Sequence, residues 1–215
     1  MRSIKWLLMI CIFFLAAGCE KTETFNNTPE KVGNSRVTFF PTFAMQGDRY
    51  VSVVKGETFN DPGVTAKEGS ADLTVNISGA VNASQVGVYD LVYSATNKDG
   101  FSSSVTRTIA VLPSAEAEGV NIAGNYVYKA NTAYQSTITK LAPGFYLTDN
   151  VWGASTIPSY IITVDGNNLV LPLNSLSGYG QVQGSGTLDA AGNLNYKVDL
   201  LNYGLLGIDR KWLKQ

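Results

Sequence analysis

The sequence predicts an all-β protein built as two successive bodies, and three observations carry that expectation. Beyond residue 19 no stretch sustains a helical hydrophobic period of useful length. Short segments instead alternate apolar and polar residues, rich in β-branched and aromatic side chains, with Gly, Asn, Asp and Pro between them. A polar break at Pro113-Ser114-Ala115-Glu116-Ala117-Glu118-Gly119 then separates residues 36–113 from residues 119–215. Each body is near the lower size for an independent core.

The N-terminus is of a different kind. Arg2 and Lys5 precede a run, Trp6 to Ala16, that is nearly all apolar and too short to span a bilayer alone. Leu15-Ala16-Ala17-Gly18-Cys19 follows, small residues before a cysteine. The pattern predicts an export signal over 1–18. It resembles the bacterial lipobox, with Ala16 standing where that pattern prefers Leu. The resemblance implies that Cys19 becomes a lipidated N-terminus, which anchors stably once two or more acyl chains are attached. The alternative is a secreted protein with an incidental cysteine. Residues 19–35 are polar and read as a tether. Glu20 and Glu23, interrupted by Lys21, are similar to the surface-export signal of Bacteroidetes lipoproteins.

Composition excludes several functions. Both cysteines, Cys11 and Cys19, lie in or beside the leader, and there is no histidine. The folded part therefore has no disulfide, no thiol nucleophile, no Ser-His-Asp triad and no imidazole or thiolate metal site. Without Arg2 and Lys5 the chain has 14 basic against 17 acidic residues, net −3. Weakly acidic and lacking Lys/Arg clusters, it is a poor partner for nucleic acid. No cofactor is implied: Gly178-Tyr179-Gly180 and Gly184-Ser185-Gly186 sit among strands with no helix following, unlike a phosphate loop.

In the first body, strands are expected at 49–54, 73–78, 88–97 and 102–112. Phe59-Asn60-Asp61-Pro62-Gly63-Val64 reads as a tight turn, in preference to any ligand role for Asp61. Asn97-Lys98-Asp99-Gly100 is a hairpin turn. The remaining acids of this body are placed in turns or on solvent-facing strand positions. Gly87-Val88-Tyr89 opens a strand as an immunoglobulin-type tyrosine corner does, with the Tyr89 hydroxyl tied to backbone upstream. Leu91 then takes the place of the second disulfide cysteine. These cues resemble the immunoglobulin-like β-sandwich domains of Bacteroidetes surface lipoproteins.

The second body has eleven charged residues and no glutamate, yet eight of the eleven tyrosines, with Trp152 and Trp212. Eight strands are expected, near 124–130, 134–141, 144–149, 158–164, 168–173, 180–188, 194–202 and 208–213. Pro143-Gly144, Asp165-Gly166-Asn167-Asn168 and Asp189-Ala190-Ala191-Gly192-Asn193 are tight turns. Eight short strands with short links fit a small antiparallel, lipocalin-like β-barrel, with a sandwich as the alternative. The Gly124-x-Tyr126 start and the domain order resemble a family that pairs an immunoglobulin-like domain with a C-terminal barrel and accompanies starch-utilisation-type glycan uptake. That resemblance implies a non-catalytic outer-membrane lipoprotein facing the exterior, with glycan as ligand and transporter or other surface lipoproteins as partners. A spacer or docking module is the rival.

Site residues follow from the links. In an up-and-down barrel successive links alternate between ends. Asn131, Trp152, Tyr179 and Tyr203, on the odd links, should share the end opposite the tight turns. Each of the three aromatics precedes a glycine. Asp149, Asn150 and Tyr146 are candidate neighbours, with Tyr146 expected to face outward because it alternates with Phe145 and Leu147. Tyr134, Tyr160 and Tyr196 are assigned to the barrel core. Glycan binding would need stacking rings and amides rather than charge. For the leader, Cys19→Ala should block acylation and leave precursor or released protein; a variant that is cleaved and still acylated would contradict the lipobox.

Overall fold

The computed structural model describes residues 31–32, 35–176 and 178–215. The signal 1–18, the lipidation site Cys19 and residues 20–30 of the tether lie outside the described residues. Contacts divide the chain into two units, Met1–Phe39 and Phe40–Gln215. In the first, β1 (Lys31–Val32) pairs with β2 (Ser35–Arg36), so the end of the expected tether forms a small hairpin.

The second unit holds both β bodies. Its first is a sandwich. One sheet has three strands: β3 (Thr42–Met45), β5 (Val64–Glu68) and β6 (Ala71–Leu73). The other orders β4 (Tyr50–Val54), β9 (Ser102–Leu112), β8 (Gly87–Thr96) and β7 (Asn76–Ser78), with β4 and β9 parallel. The single strand expected at 73–78 is two: β6 belongs to one sheet and β7 to the other. The chain crosses between sheets at that point, and alternation along the sequence does not register the change of partner.

Leu91, Tyr93 and Ile109 form the sandwich core, with Met45, Val53, Phe59 and Val64 against them. The Tyr89 hydroxyl donates to the Gln85 carbonyl at 2.9 Å. Asp61 makes the turn, accepting from the Gly63 amide at 3.2 Å, and also pairs with Arg107. Arg107 is fully buried; it donates to the carbonyls of Gln46 and Asp48 as well and lies over the Tyr93 ring. A buried guanidinium is tolerated when carboxylate, carbonyls and an aromatic face surround it in this way. Burial and the Asp61 carboxylate push the Tyr93 hydroxyl up to about 12. Glu68 corrects one expectation: it is buried rather than solvent-facing, and accepts from the Lys98 amide at 3.0 Å, tying β5 to the 97–100 turn.

The second body is a closed antiparallel barrel of eight strands in sequence order. They are β10 (Gly124–Tyr128), β11 (Gln135–Ala142), β12 (Phe145–Thr148), β13 (Ser159–Ile162), β14 (Asn168–Leu176), β15 (Gly180–Leu188), β16 (Leu194–Leu200) and β17 (Leu205–Lys214). Ile138, Tyr146, Ile161, Leu169, Val198 and Trp212 are among the side chains that fill its interior, as an eight-stranded barrel permits. Gly186 makes room for Tyr196 opposite: a Cβ there would lie 2.7 Å from the ring. The Tyr126 hydroxyl donates to the Ile122 carbonyl four residues upstream, as Tyr89 does in the sandwich.

Sandwich and barrel share a core. Ala110 and Leu112 of β9 pack with Phe145 and Ile162 of the barrel, and the Phe145 ring lies 6.2 Å from Tyr50 and 5.1 Å from Tyr160. Gly144, at φ +66°, is pressed on Leu112, where a Cβ would approach to 2.8 Å. The segment 113–119 is a clasp. The Glu116 carboxylate accepts from Lys140 Nζ and from the Tyr146 hydroxyl, both at 2.7 Å, and the Ala117 amide donates to the Val164 carbonyl.

This shared core overturns two assignments. Tyr146 is buried inside the barrel, whereas Phe145 points out of it and is buried by the sandwich. Tyr160, with Ile162 and Val164, also lies on the outward face under the sandwich, not in the barrel core. Tyr134 is half-buried beside the first link, outside the core cluster, and Tyr196 is in the core.

Burial of Glu116 opposes its ionisation, but the donors from Lys140, Tyr146 and Gly144 outweigh it and hold the carboxyl below the ordinary glutamate value of 4.5. Its contribution to stability is therefore complete above that value and lost as pH falls through its own lower one. Glu116→Gln should be less stable than wild type at pH 7, with the gap closing as the pH falls below the ordinary glutamate value and through the lowered one. Denaturant melts across pH check this; a gap that does not change with pH would contradict the clasp.

Candidate functional site

Strand alternation places the links 129–134, 149–158, 178–179 and 201–204 at one end of the barrel. The other end carries the turns at 143–144, 163–167 and 189–193, and there the Tyr146 hydroxyl meets the Glu116 clasp, while at the odd-link end Val151 and Ile157 of the 149–158 link are buried in the barrel core.

Asn131, Trp152, Tyr179 and Tyr203 all lie at that end, in different ways. Trp152 is half-buried and folds onto the core cluster, with its ring stacked on the Arg210 guanidinium at 3.7 Å. Tyr179 is half-buried on the same cluster. Tyr203, in the 3₁₀ turn Leu201–Tyr203, is 59% exposed, and its hydroxyl donates to the Gly178 carbonyl at 3.2 Å. Asn202 ties the same two links together by accepting from the Gln181 amide at 2.8 Å. Asn131 is exposed, and its side chain accepts from the Ala133 amide within its own turn.

Of the other three candidates, Asn150 and Asp149 begin the 149–158 link at the same end with their polar groups engaged, and Tyr146 lies at the opposite end. Asn150 is buried. Its oxygen accepts from the Trp152 and Gly153 amides, and its nitrogen donates to the Gly153 and Gln135 carbonyls, so it shapes the loop that carries Trp152. Asp149 is exposed, and its carboxylate accepts from the Thr137 amide at 2.8 Å, on the outer wall. Tyr146 sits at the clasped end, for the reason given above. Its hydroxyl is raised by burial and by Glu116.

Arg210 is the residue that sequence reading missed. It pairs across the sheet with Tyr196 and alternates with Trp212, so it faces the lumen. Beside it Tyr128 packs on Trp212 with ring centroids 5.3 Å apart, and Gly153 lies against the Tyr128 ring. The signal was present: Ile208, Arg210 and Trp212 share one parity, and Trp212 was bound to be inside.

Every aspartate of the barrel is engaged. Asp165 accepts from Asn168 and Asn167, which holds it down to about 2, and Asp189 accepts from Asn193 and Ala191. Asp199 accepts from the Gly207 amide and Gln183, and Asp209 pairs with Lys197 at 3.1 Å. Among the described residues of the barrel no carboxyl pair flanks a cleft, as glycoside hydrolysis would require. Among the described residues no three His, Cys, Asp or Glu side chains converge to hold a metal ion.

Residues 43–111 match a family model described as bacterial surface protein, Ig-like domain. Among solved structures the chain is similar to the lipoprotein BT2262 from Bacteroides thetaiotaomicron, at 27% identity. That match covers 82% of this chain and all of the other, with a TM-score of 0.40. It is also similar to a structure of CBM51-2 in complex with GlcNAc and INT domains from Clostridium perfringens ZmpB. There the identity is 18%, the TM-score 0.30, and the match covers 60% of this chain and 30% of that one. No curated protein matches. The chain thus carries an immunoglobulin-like domain of the bacterial surface kind, followed by a closed eight-stranded barrel.

Proposed function

We propose that this protein is a non-catalytic, lipid-anchored component of the outer membrane exterior that binds glycan at the odd-link end of its barrel, as an accessory of polysaccharide uptake. The observation that carries the reading is the convergence of Trp152, Tyr179 and Tyr203, from three separate links, on one end of the barrel, with Tyr203 exposed there. The interior is filled by side chains, so the ligand lies on the rim and not within the barrel. Exposed Tyr203 supplies a flat apolar face with a polar tip, the combination that stacks on a sugar ring. The sandwich and the 113–119 clasp set the barrel's orientation, and the lipidated tether would hold the whole at the membrane.

A second reading, docking on a transporter or a partner lipoprotein, is favoured by the outer wall of β14 to β17. There Val170 and Leu173 are exposed beside a groove of about 520 Å³ that Gln183, Lys197 and Asp199 also line. Exposed Leu205 and Leu206 add apolar surface to the same wall.

Glycan arrays with the mature protein separate the two. Tyr203→Ala should lower glycan binding about tenfold while shifting stability by no more than about 0.5 kcal/mol. Trp152→Ala should abolish binding, with a larger loss of stability because it uncovers Arg210. Undiminished binding in both variants would refute the rim.

A further inference from the structure

Arg210 has an unusual position for a cation. Its Nε is buried with no hydrogen-bond partner among the described residues, and no carboxylate there lies within ion-pair distance of it. Asp209, its neighbour in sequence, is turned outward to Lys197. One polar contact is made: Nη1 donates to the Asp209 carbonyl at 3.0 Å. The contrast with Arg107 is instructive, since that fully buried guanidinium is saturated by a carboxylate and two carbonyls. Arg210 is held instead between two aromatic faces, Trp152 at 3.7 Å and Tyr128 at 6.0 Å. Cation–π contact offsets part of the lost hydration but occupies none of the in-plane N–H groups.

With Nη1 engaged, the Nε–Nη2 edge remains. That edge is a two-pronged donor whose spacing matches the two oxygens of a carboxylate. The indole above it belongs to the longest link, 149–158, next to Gly153 at φ +121° and the exposed residues 154–156. On the outer face of the same wall Lys129 and Lys211, joined through the Lys129 amide and Lys211 carbonyl, are exposed beside Tyr128 and Asp209, and the two lysines make no ion pair among the described residues. Two further buried polar atoms in the same lumen, Tyr196 Oη and Trp212 Nε1, likewise have no hydrogen-bond partner among the described residues.

We infer that the rim takes acidic glycan, a sugar bearing a carboxylate that forks onto Arg210 as the Trp152 indole moves aside to stack on the sugar ring. This rests on the glycan-binding reading above and narrows its ligand class. Displacement of Trp152 makes its fluorescence a reporter, because Trp212 stays buried against Tyr128.

The mature protein is titrated with oligosaccharides of galacturonic, glucuronic and sialic acid, each beside its carboxyl-reduced neutral counterpart, and with a sulfated neutral glycan and an acidic peptide. At least one acidic sugar should bind, at least about tenfold more tightly than its reduced counterpart, more weakly at higher salt, and with a change in Trp152 emission. Arg210→Met should remove the preference for the acid. Arg210→Lys, which keeps the charge and loses the fork, should recover it only in part. Equal binding of acid and reduced forms, unaffected by Arg210→Met, would overturn the carboxylate assignment while leaving glycan binding intact. Binding confined to the sulfated glycan would do the same. Binding of the peptide alone, or of nothing, would overturn both.

Discussion

The Glu116 carboxylate, held by Lys140 and by the Tyr146 hydroxyl from inside the barrel, is the contact on which the rest of the second unit depends. It turns a polar, alanine-rich segment that could have been a free linker into a fixed strap. With the strap in place, Leu112 meets Gly144, Phe145 meets Tyr50, and two bodies that are each small for a core bury a third cluster between them. A buried carboxylate is costly unless donors surround it, and here an ammonium, a phenol and a backbone amide do so.

One consequence is functional asymmetry. An up-and-down barrel has two ends of similar build, and nothing in the strands themselves prefers either. The strap meets one end, and the links that bear Trp152, Tyr179 and Tyr203 form the other, where Trp152 and Tyr179 are half-buried and Tyr203 is exposed. That same end holds a cation with no carboxylate partner among the described residues, Arg210, under the indole of Trp152. The strapped end is built from saturated contacts; the other is built from half-buried rings over an unsaturated one.

Much of this was legible in the sequence because the signals are local. Turn residues at Pro143-Gly144, Asp165 to Asn168 and Asp189 to Asn193 set the link lengths, and link parity then placed Asn131, Trp152, Tyr179 and Tyr203 at one end. What failed was non-local. Phe145 and Tyr146 alternate, but the sequence does not say that the outward face is buried by another body, so the larger apolar residue was taken as inward. Tyr160 was misplaced by the same step. Asn150 reads as an amide free to bond a sugar, yet its own loop and the Gln135 carbonyl consume its contacts. The β6–β7 crossover was missed because a change of sheet leaves the period of two undisturbed.

Hydrogen exchange on the mature protein tests the central claim, that the segment 113–119 is a fixed strap at one barrel end and not a free linker. The Ala117 amide, bonded to Val164, and the amides around Gly144 should exchange slowly, at rates near those of the barrel strands. Amides of the 149–158, 178–179 and 201–204 links should exchange orders of magnitude faster. Rapid exchange across 113–119, equal to that of those links, would show the strap to be a free linker and would contradict the account.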